Sequence, residues 1–215
     1  MSAEECKTSV LRRLGDSGRD GPQYELRLSF LSSALNSYRC DSILKPFPHQ
    51  YMQSHTTDKD FDCVRRDLES IPCLSELNED YQMSDNCWQL LHWVMTSGSF
   101  QLILRSIDSQ QMCHILNANQ LSLKNFKPTL IFEVVSQPKR SFTEAKERFG
   151  TFWAFHGSAV ENFHSIVHNG LVNCLNKRAL YGSGTYMSSQ LSVAIEFSPF
   201  GRGWNKSSLG KEISC

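Results

Sequence analysis

Residues 151–198 decide the fold of this chain, and they read TFWAFHGSAVENFHSIVHNGLVNCLNKRALYGSGTYMSSQLSVAIEFS. The aromatic run 152–155 predicts a strand that is buried on both faces, because it is apolar throughout. This strand leads into residues 156–158 (HGS) at the start of a helix. Further along, residues 182–186 (GSGTY) predict a tight turn that places Tyr186 on a second strand. Together the two segments could form a flat slot for a planar aromatic ring.

The residues after this turn predict a helix. Ser158 and Glu161 have the spacing of a capping box, in which the serine hydroxyl accepts from the backbone N–H of the glutamate and the glutamate reaches back. Gly170 should end the helix, because glycine adopts the left-handed conformation at little cost. The apolar stripe between them comprises Val160, Phe163 and Val167. For Ser158 the sequence leaves open whether the helix cap is its whole role.

Two residues of the turn are candidates for ligand binding. Gly157 has no side chain, so a ligand can approach its backbone closely. His156 could donate to a sugar hydroxyl or accept a proton; a lone histidine is more often structural, but functional sites tend to lie on such turns.

His164 and His168 are four residues apart on the predicted helix and could share a metal ion. No carboxylate lies between them and no third ligand is evident, so we expect them to be partly exposed and predict no metal site.

A second helix is predicted over 191–197, capped by Ser188 and Ser189. Tyr186 on the strand and Phe197 on this helix could then face each other across a gap as wide as an aromatic ring. Such stacking contributes roughly 0.5–1.5 kcal/mol per pair. The alternative is that both are core aromatics. No helix directly follows the Gly-x-Gly turn, so the dinucleotide fingerprint of doubly wound folds does not apply.

Composition divides the rest of the chain. Residues 1–23 are rich in glycine, serine and charged residues, which predicts a flexible tail. Residues 24–97 predict a helical module, with three apolar stripes at Leu28/Leu31/Leu35, Phe61/Val64/Leu68 and Trp88/Leu91/Val94. From residue 98 the pattern changes to strands at 100–104 and 129–135, with a short helix expected around 111–116.

Bulk composition narrows the class of protein. Lysine plus arginine equals aspartate plus glutamate, at 22 each, so no overall charge favours nucleic acid or an anionic membrane as a partner. The eight cysteines form no Cys-x-x-Cys pair and no signal peptide precedes them, which predicts reduced thiols in the cytosol. No apolar run approaches the ~18 residues that span a bilayer.

Residues 155–158, 161–166, 168–171 and 181–186 resemble the catalytic domain of the poly(ADP-ribose) polymerase superfamily. Residues 37–48 (SYRCDSILKPFP) are most similar to its tail-anchored mono-ADP-ribosyltransferases of the endoplasmic reticulum. The resemblance runs from residue 24 to the last residue. It implies an α+β chain in which a helical regulatory domain over 24–97 precedes a partial ADP-ribosyltransferase split β-sheet fold over 98–215.

The resemblance also implies NAD as co-substrate, with no metal. His156 would hydrogen-bond the adenosine-side ribose, and Ser158 would lie near the same ribose. Gly157 would hold the nicotinamide amide through its backbone N–H and C=O. Tyr186 and Phe197 would enclose the nicotinamide ring, with His156 and Tyr186 as the catalytic residues.

The chain departs from the family pattern in three places. Phe197 stands where many relatives carry tyrosine, and Ala194 stands where many carry a serine that contacts the nicotinamide amide. The chain also ends at Cys215, before the third signature position and the membrane anchor, so we expect a truncated form.

The implied activity is transfer of ADP-ribose from NAD to side chains of acceptor proteins, this chain itself among them, at the cytosolic face of the endoplasmic reticulum for the full-length relative. This chain alone is expected in the cytosol, and no nucleic acid is expected as a partner. An impaired, truncated NAD-binding or protein-interaction module is the alternative. A hydrolase using His156 and Ser158 is disfavoured, because side chains two apart at a helix cap point poorly for a proton relay.

Overall fold

The computed structural model describes residues 1–16, 21–53, 58–105, 128–172 and 182–215. Its helices are α1 Ala3–Asp16, α2 Pro22–Leu35, α3 Cys40–Ile43, α4 Phe61–Ser70, α5 Asp85–Thr96, α6 Arg140–Phe149, α7 Phe163–Asn169 and α8 Leu191–Ile195. Its strands are β1 Phe100–Arg105, β2 Ile131–Ser136, β3 Gly201–Arg202 and β4 Glu212–Ile213, and short 3-10 helices span His49–Tyr51, Leu74–Glu76 and Val160–Asn162. The expected α+β class is confirmed.

Helix α2 is buried on nearly every side because it lies between two hydrophobic cores. Its leucines 28, 31 and 35 are fully buried in the larger core, with residues from α1, α4 and α5. Leu26 and Phe30 lie in the smaller core, with Phe100 and Leu102 of β1 and with Val160. The helices predicted from the three apolar stripes are therefore confirmed, and α2 joins the helical module to the segment that holds the HGS turn.

The flexible tail predicted for residues 1–23 is replaced by helix α1 over Ala3–Asp16. Cys6, Val10 and Leu14 recur at helical spacing, and all three are buried against the larger core. Ser2 caps the helix, since its Oγ accepts from the N–H of Glu5 at 3.2 Å and its N–H donates to Glu5 Oε2 at 2.7 Å. These hydrogen bonds lower the pKa of the Glu5 carboxyl. Burial of this stripe outweighs the polar composition that suggested a tail.

The two predicted strands pair as an antiparallel ribbon. β1 and β2 run in register from Phe100 opposite Ser136 to Arg105 opposite Ile131. The strand predicted over 152–155 is not formed: Phe152 is 89% exposed and Trp153 is 57% exposed. An apolar run shows that a segment can be buried, but burial on both faces also requires neighbours. In the described residues only Phe155 of this run makes a bridge, to Ser188. The helix expected at 111–116 lies outside the described residues.

The end of the chain packs back onto α2. β3 and β4 pair Gly201 with Ile213 and Arg202 with Glu212. Trp204, between them in the sequence, is 1% exposed, and its backbone N–H donates to Ser29 Oγ at 3.1 Å. Nearby, the buried Glu25 carboxylate accepts from both the N–H and the hydroxyl of Ser208, each at 2.7 Å.

Candidate functional site

The two motif segments lie side by side. Phe155 and Ser188 exchange both backbone hydrogen bonds of an antiparallel bridge, at 2.7 and 2.9 Å. One residue further, His156 Nδ1 lies 2.9 Å from the carbonyl oxygen of Tyr186. A carbonyl can only accept, so Nδ1 carries the proton in this contact and Nε2 is left as the acceptor nitrogen. The bridge therefore brings together the histidine of one segment and the tyrosine of the other.

Gly157 packs against helix α8 so closely that no side chain fits. An ideal Cβ on Gly157 would lie 1.8 Å from the carbonyl oxygen of Ala194 and 2.7 Å from Ser198 Oγ. Within the part of the chain that the structure describes, neither the N–H nor the C=O of Gly157 has a hydrogen-bond partner. The missing side chain thus serves helix packing, and the backbone keeps one unpaired donor and one unpaired acceptor.

Ser158 does not form the predicted capping box. Its Oγ accepts from Asn162 Nδ2 at 2.9 Å, and Glu161 turns away to Arg39, with Oε1 2.5 Å from Nη2. The first turn after the serine is the 3-10 helix Val160–Asn162, and α7 begins only at Phe163. The charged guanidinium of Arg39, which belongs to the helical module, thus binds the Glu161 carboxylate in place of the backbone N–H groups of a capping box. The predicted end of the helix is confirmed, since Gly170 follows α7 with φ 81°.

The two aromatic rings of the predicted slot are both accessible. Tyr186 is 41% exposed, and its hydroxyl donates to the Gly182 carbonyl at 2.8 Å. Phe197 is 64% exposed, just beyond the end of α8. These exposures exclude the alternative that both are core aromatics. The buried Ala194 of α8 packs behind Gly157.

The elements around these rings differ from the prediction in detail. Residues 185–187 form no strand, and Ser188 makes only the isolated bridge to Phe155. Helix α8 is confirmed, but no side chain caps it; Ser188 Oγ instead accepts from the N–H of Gln190 at 3.0 Å. Tyr181 lies outside the described residues.

His164 and His168 belong to the interior. His164 is 3% exposed, so the expectation of partial exposure is wrong for it, and its Nε2–H donates to the carbonyl of Pro46 at 2.9 Å. His168 donates from Nδ1 to the His164 carbonyl at 2.7 Å and accepts at Nε2 from Ser97 Oγ at 3.2 Å. Burial lowers the pKa of both imidazoles. In the described ranges, no cluster of three or more histidine, cysteine or acidic side chains could hold a metal.

These histidines should make folding sensitive to mild acid. The pKa values of His164 and His168 are lowered in the folded chain. Below about pH 6.5 these imidazoles therefore bind protons in the unfolded chain but stay neutral in the folded chain. The free energy of unfolding should therefore fall by about 2 kcal/mol between pH 7 and pH 5.5. Urea denaturation across this range measures it, with His168→Gln expected to flatten the slope by about half. A slope unchanged by that substitution would contradict the assignment.

Comparison with known proteins places the chain in a family. Residues 18–95 match the family described as ARTD15 N-terminal domain, and residues 107–208 match the one described as Poly(ADP-ribose) polymerase catalytic domain. The second match contains both motif segments of the site. Residues 107–208 carry the catalytic domain of the poly(ADP-ribose) polymerase superfamily. The resemblance that the motifs indicated is thereby confirmed.

Curated relatives agree with this assignment. The Protein mono-ADP-ribosyltransferase PARP16 of Mus musculus is 39% identical over 204 residues, which cover 92% of this chain and 61% of the relative. The Homo sapiens PARP16 is 37% identical, with 92% of this chain and 62% of the relative covered. The Homo sapiens PARP8 is 31% identical over 222 residues, which cover 92% of this chain and 24% of the relative. The chain thus spans about three-fifths of the length of the PARP16 relatives. Among the described residues, no helix combines the length and apolar character that a membrane crossing requires.

Proposed function

We propose that this chain carries the NAD site of a mono-ADP-ribosyltransferase, which transfers ADP-ribose from NAD to protein side chains and releases nicotinamide. The observation that carries the proposal is the bridge between Phe155 and Ser188, which sets His156 against Tyr186. Membership of the superfamily gives that juxtaposition its chemical meaning. The names of the PARP16 relatives support protein acceptors as the second substrate.

Each site residue has a role that suits its surroundings. His156 presents Nε2 to a hydroxyl of the adenosine-side ribose, and Ser158 lies beside it for the same ribose. Gly157 offers an unpaired N–H and C=O, which match the carbonyl and the NH₂ of the nicotinamide amide. Tyr186 and Phe197 supply accessible ring faces for the pyridinium. The site is built for NAD as a substrate and, on this proposal, uses no metal.

The reaction substitutes at C1′ of the nicotinamide ribose. The bond from C1′ to the pyridinium nitrogen breaks, nicotinamide leaves with the bonding electrons, and an oxocarbenium-like centre develops at C1′. A nucleophilic side chain of the acceptor then bonds to that carbon and loses its proton. Rigid binding of ring and riboses orients C1′ for attack, and no covalent enzyme intermediate is needed.

Partners and location follow from the same resemblance. The acceptors are proteins, with this chain itself among the candidates, and the balanced charge gives no support to nucleic acid. The resemblance to tail-anchored members of the superfamily supports a place at the cytosolic face of the endoplasmic reticulum for the full-length relative.

The labelling test uses NAD that carries a radioactive adenylate phosphate. The purified chain with candidate acceptor protein should become labelled, and His156→Ala should reduce labelling at least tenfold, because a ribose hydrogen bond and the contact to Tyr186 are both lost. His49→Ala, at an exposed histidine of the helical module, should leave labelling unchanged. Tyr186→Ala should also lose labelling, and Tyr186→Phe, which keeps the ring, should retain most of it.

The outcomes separate enzyme from binding module. Label that survives His156→Ala and Tyr186→Ala would contradict the proposed site. Thermal stabilisation by NAD with no label on any protein would support the alternative of a non-catalytic NAD-binding module.

A further inference from the structure

A chain of hydrogen bonds links the helical module to the serine of the HGS turn. Arg39 Nη2 lies 2.5 Å from Glu161 Oε1 and 3.1 Å from Asn162 Oδ1. Asn162 Nδ2 in turn donates to Ser158 Oγ at 2.9 Å. The arginine comes from the turn before α3 and is separated from Glu161 by 122 residues of sequence. The link therefore exists only when the helical module is docked.

Arg39 is well placed to hold this link in one geometry. Its carbonyl accepts from the N–H groups of Ser42 at 2.8 Å and Ile43 at 3.2 Å, and its own N–H donates to Ser37 Oγ at 3.2 Å. Its side chain is 27% exposed and that of Glu161 is 25% exposed, so the ion pair is largely shielded from solvent. A backbone anchored on both sides and a shielded charge pair leave the guanidinium little freedom.

The direction of the hydrogen bonds follows from the donors. A guanidinium carries donors only, so the side-chain atom of Asn162 that faces Arg39 must be the amide oxygen. The NH₂ group then faces Ser158, and Ser158 Oγ must accept from it. A serine hydroxyl that accepts on one side keeps its single proton for a different partner. In this site that partner is the ribose next to which the proposed function places Ser158.

We propose that Arg39 is a positioning residue for NAD: by fixing the amide of Asn162, it directs the Ser158 hydroxyl proton toward the bound ribose. The inference rests on the proposed function and adds to it a residue of the helical module that acts through two others. The helical module thereby determines the direction in which the Ser158 hydroxyl donates within the NAD site.

The test measures the dissociation constant of NAD by calorimetry for the full chain. Arg39→Met removes every donor and should weaken binding about fivefold, the net value of one lost hydrogen bond. Arg39→Lys keeps a cation that can only donate and should recover most of that loss. Arg65→Met is the matched control, since Arg65 also pairs with a carboxylate, Asp62 at 2.7 Å, and binds the Leu35 carbonyl at 2.7 Å, all within the helical module. It should change stability and leave NAD affinity unaltered.

Asn162→Asp separates positioning from simple structural support. The new carboxylate would still accept from Arg39, so the docked module should stay as stable as before. It cannot donate to Ser158, however, and would take the serine proton for itself. NAD affinity should therefore fall about as far as in Ser158→Ala, roughly fivefold. In the Ser158→Ala background neither Asn162→Asp nor Arg39→Met should weaken binding further.

The possible outcomes distinguish failure of the proposed function from failure of this inference. Absence of NAD binding by the unsubstituted chain would overturn the proposed function and this inference with it. Binding by the unsubstituted chain, with affinity unchanged in Arg39→Met or in Asn162→Asp, would overturn the inference alone. A loss that persists undiminished in the Ser158→Ala background would overturn it too, because the effect would then bypass the serine.

Discussion

Replacing Gly157 with alanine should abolish NAD binding and lower the free energy of unfolding by about 3 kcal/mol. The added Cβ would lie 1.8 Å from the Ala194 carbonyl oxygen and 2.8 Å from the Ala194 carbonyl carbon. Backbone atoms cannot rotate away as a flexible side chain would, so α8 must shift, and overpacking of this kind is costly. Movement of α8 also carries Phe197 away from the site, so ligand binding is lost together with stability.

Gly184→Ala is the matched control for this substitution. Gly184 belongs to the other motif segment, yet among the residues that the structure describes nothing lies within 4 Å of its ideal Cβ. Its φ is not in the left-handed region. The free energy of unfolding of this variant should lie within about 0.5 kcal/mol of that of the unsubstituted chain. Urea denaturation with NAD titration on both variants provides the comparison. A Gly157→Ala chain that binds NAD with normal affinity would show that the contact with α8 is not required.

Truncating Trp204 to alanine should cost about 4 kcal/mol of unfolding free energy. Trp204 is 1% exposed and belongs to the larger core. Removing a buried indole loses its transfer free energy and leaves a cavity that rigid helices cannot fill. The segment between β3 and β4 should detach from α2, because Trp204 is its largest buried side chain there.

A second substitution at Trp204 tests whether volume or polarity dominates. Within the described residues, Trp204 Nε1 is buried without a hydrogen-bond partner, which is itself unfavourable. Trp204→Phe removes that unpaired donor while keeping most of the apolar volume, so a loss of only about 1 kcal/mol is expected. Phe200→Ala, at a ring that is 76% exposed, serves as the control with little effect. Equal losses in the alanine and phenylalanine variants would contradict the packing account.

The sequence predicted the elements whose evidence is local. Helices α2, α4 and α5 follow from apolar residues at helical spacing, and the end of α7 follows from Gly170. The placement of His156 beside Tyr186 also agrees with the idea of two segments forming one slot. In each case the deciding contacts lie within one element or come from family motifs.

The failures share a different cause, which is that a distant partner decides the outcome. Ser2 and Glu5 form a capping box, whereas Ser158 and Glu161 have the same spacing and do not. The difference is Arg39, which reaches Glu161 from the other module and could not be foreseen from local spacing. Helix α1 was not predicted for a related reason. Its apolar stripe of Cys6, Val10 and Leu14 is short, and the larger core against which it packs comes from distant parts of the sequence.

The measurement that tests the central claim most directly compares nicotinamide with nicotinate as ligands of the chain. If Gly157 grips the amide through both N–H and C=O, nicotinamide should bind, and nicotinate, which lacks an N–H for the glycine carbonyl and carries a charge, should not. Calorimetry should further show that Tyr186→Ala removes nicotinamide binding, because the proposed slot would lose one of its two ring faces. Equal binding of both compounds, or nicotinamide binding that survives Tyr186→Ala, would contradict the account.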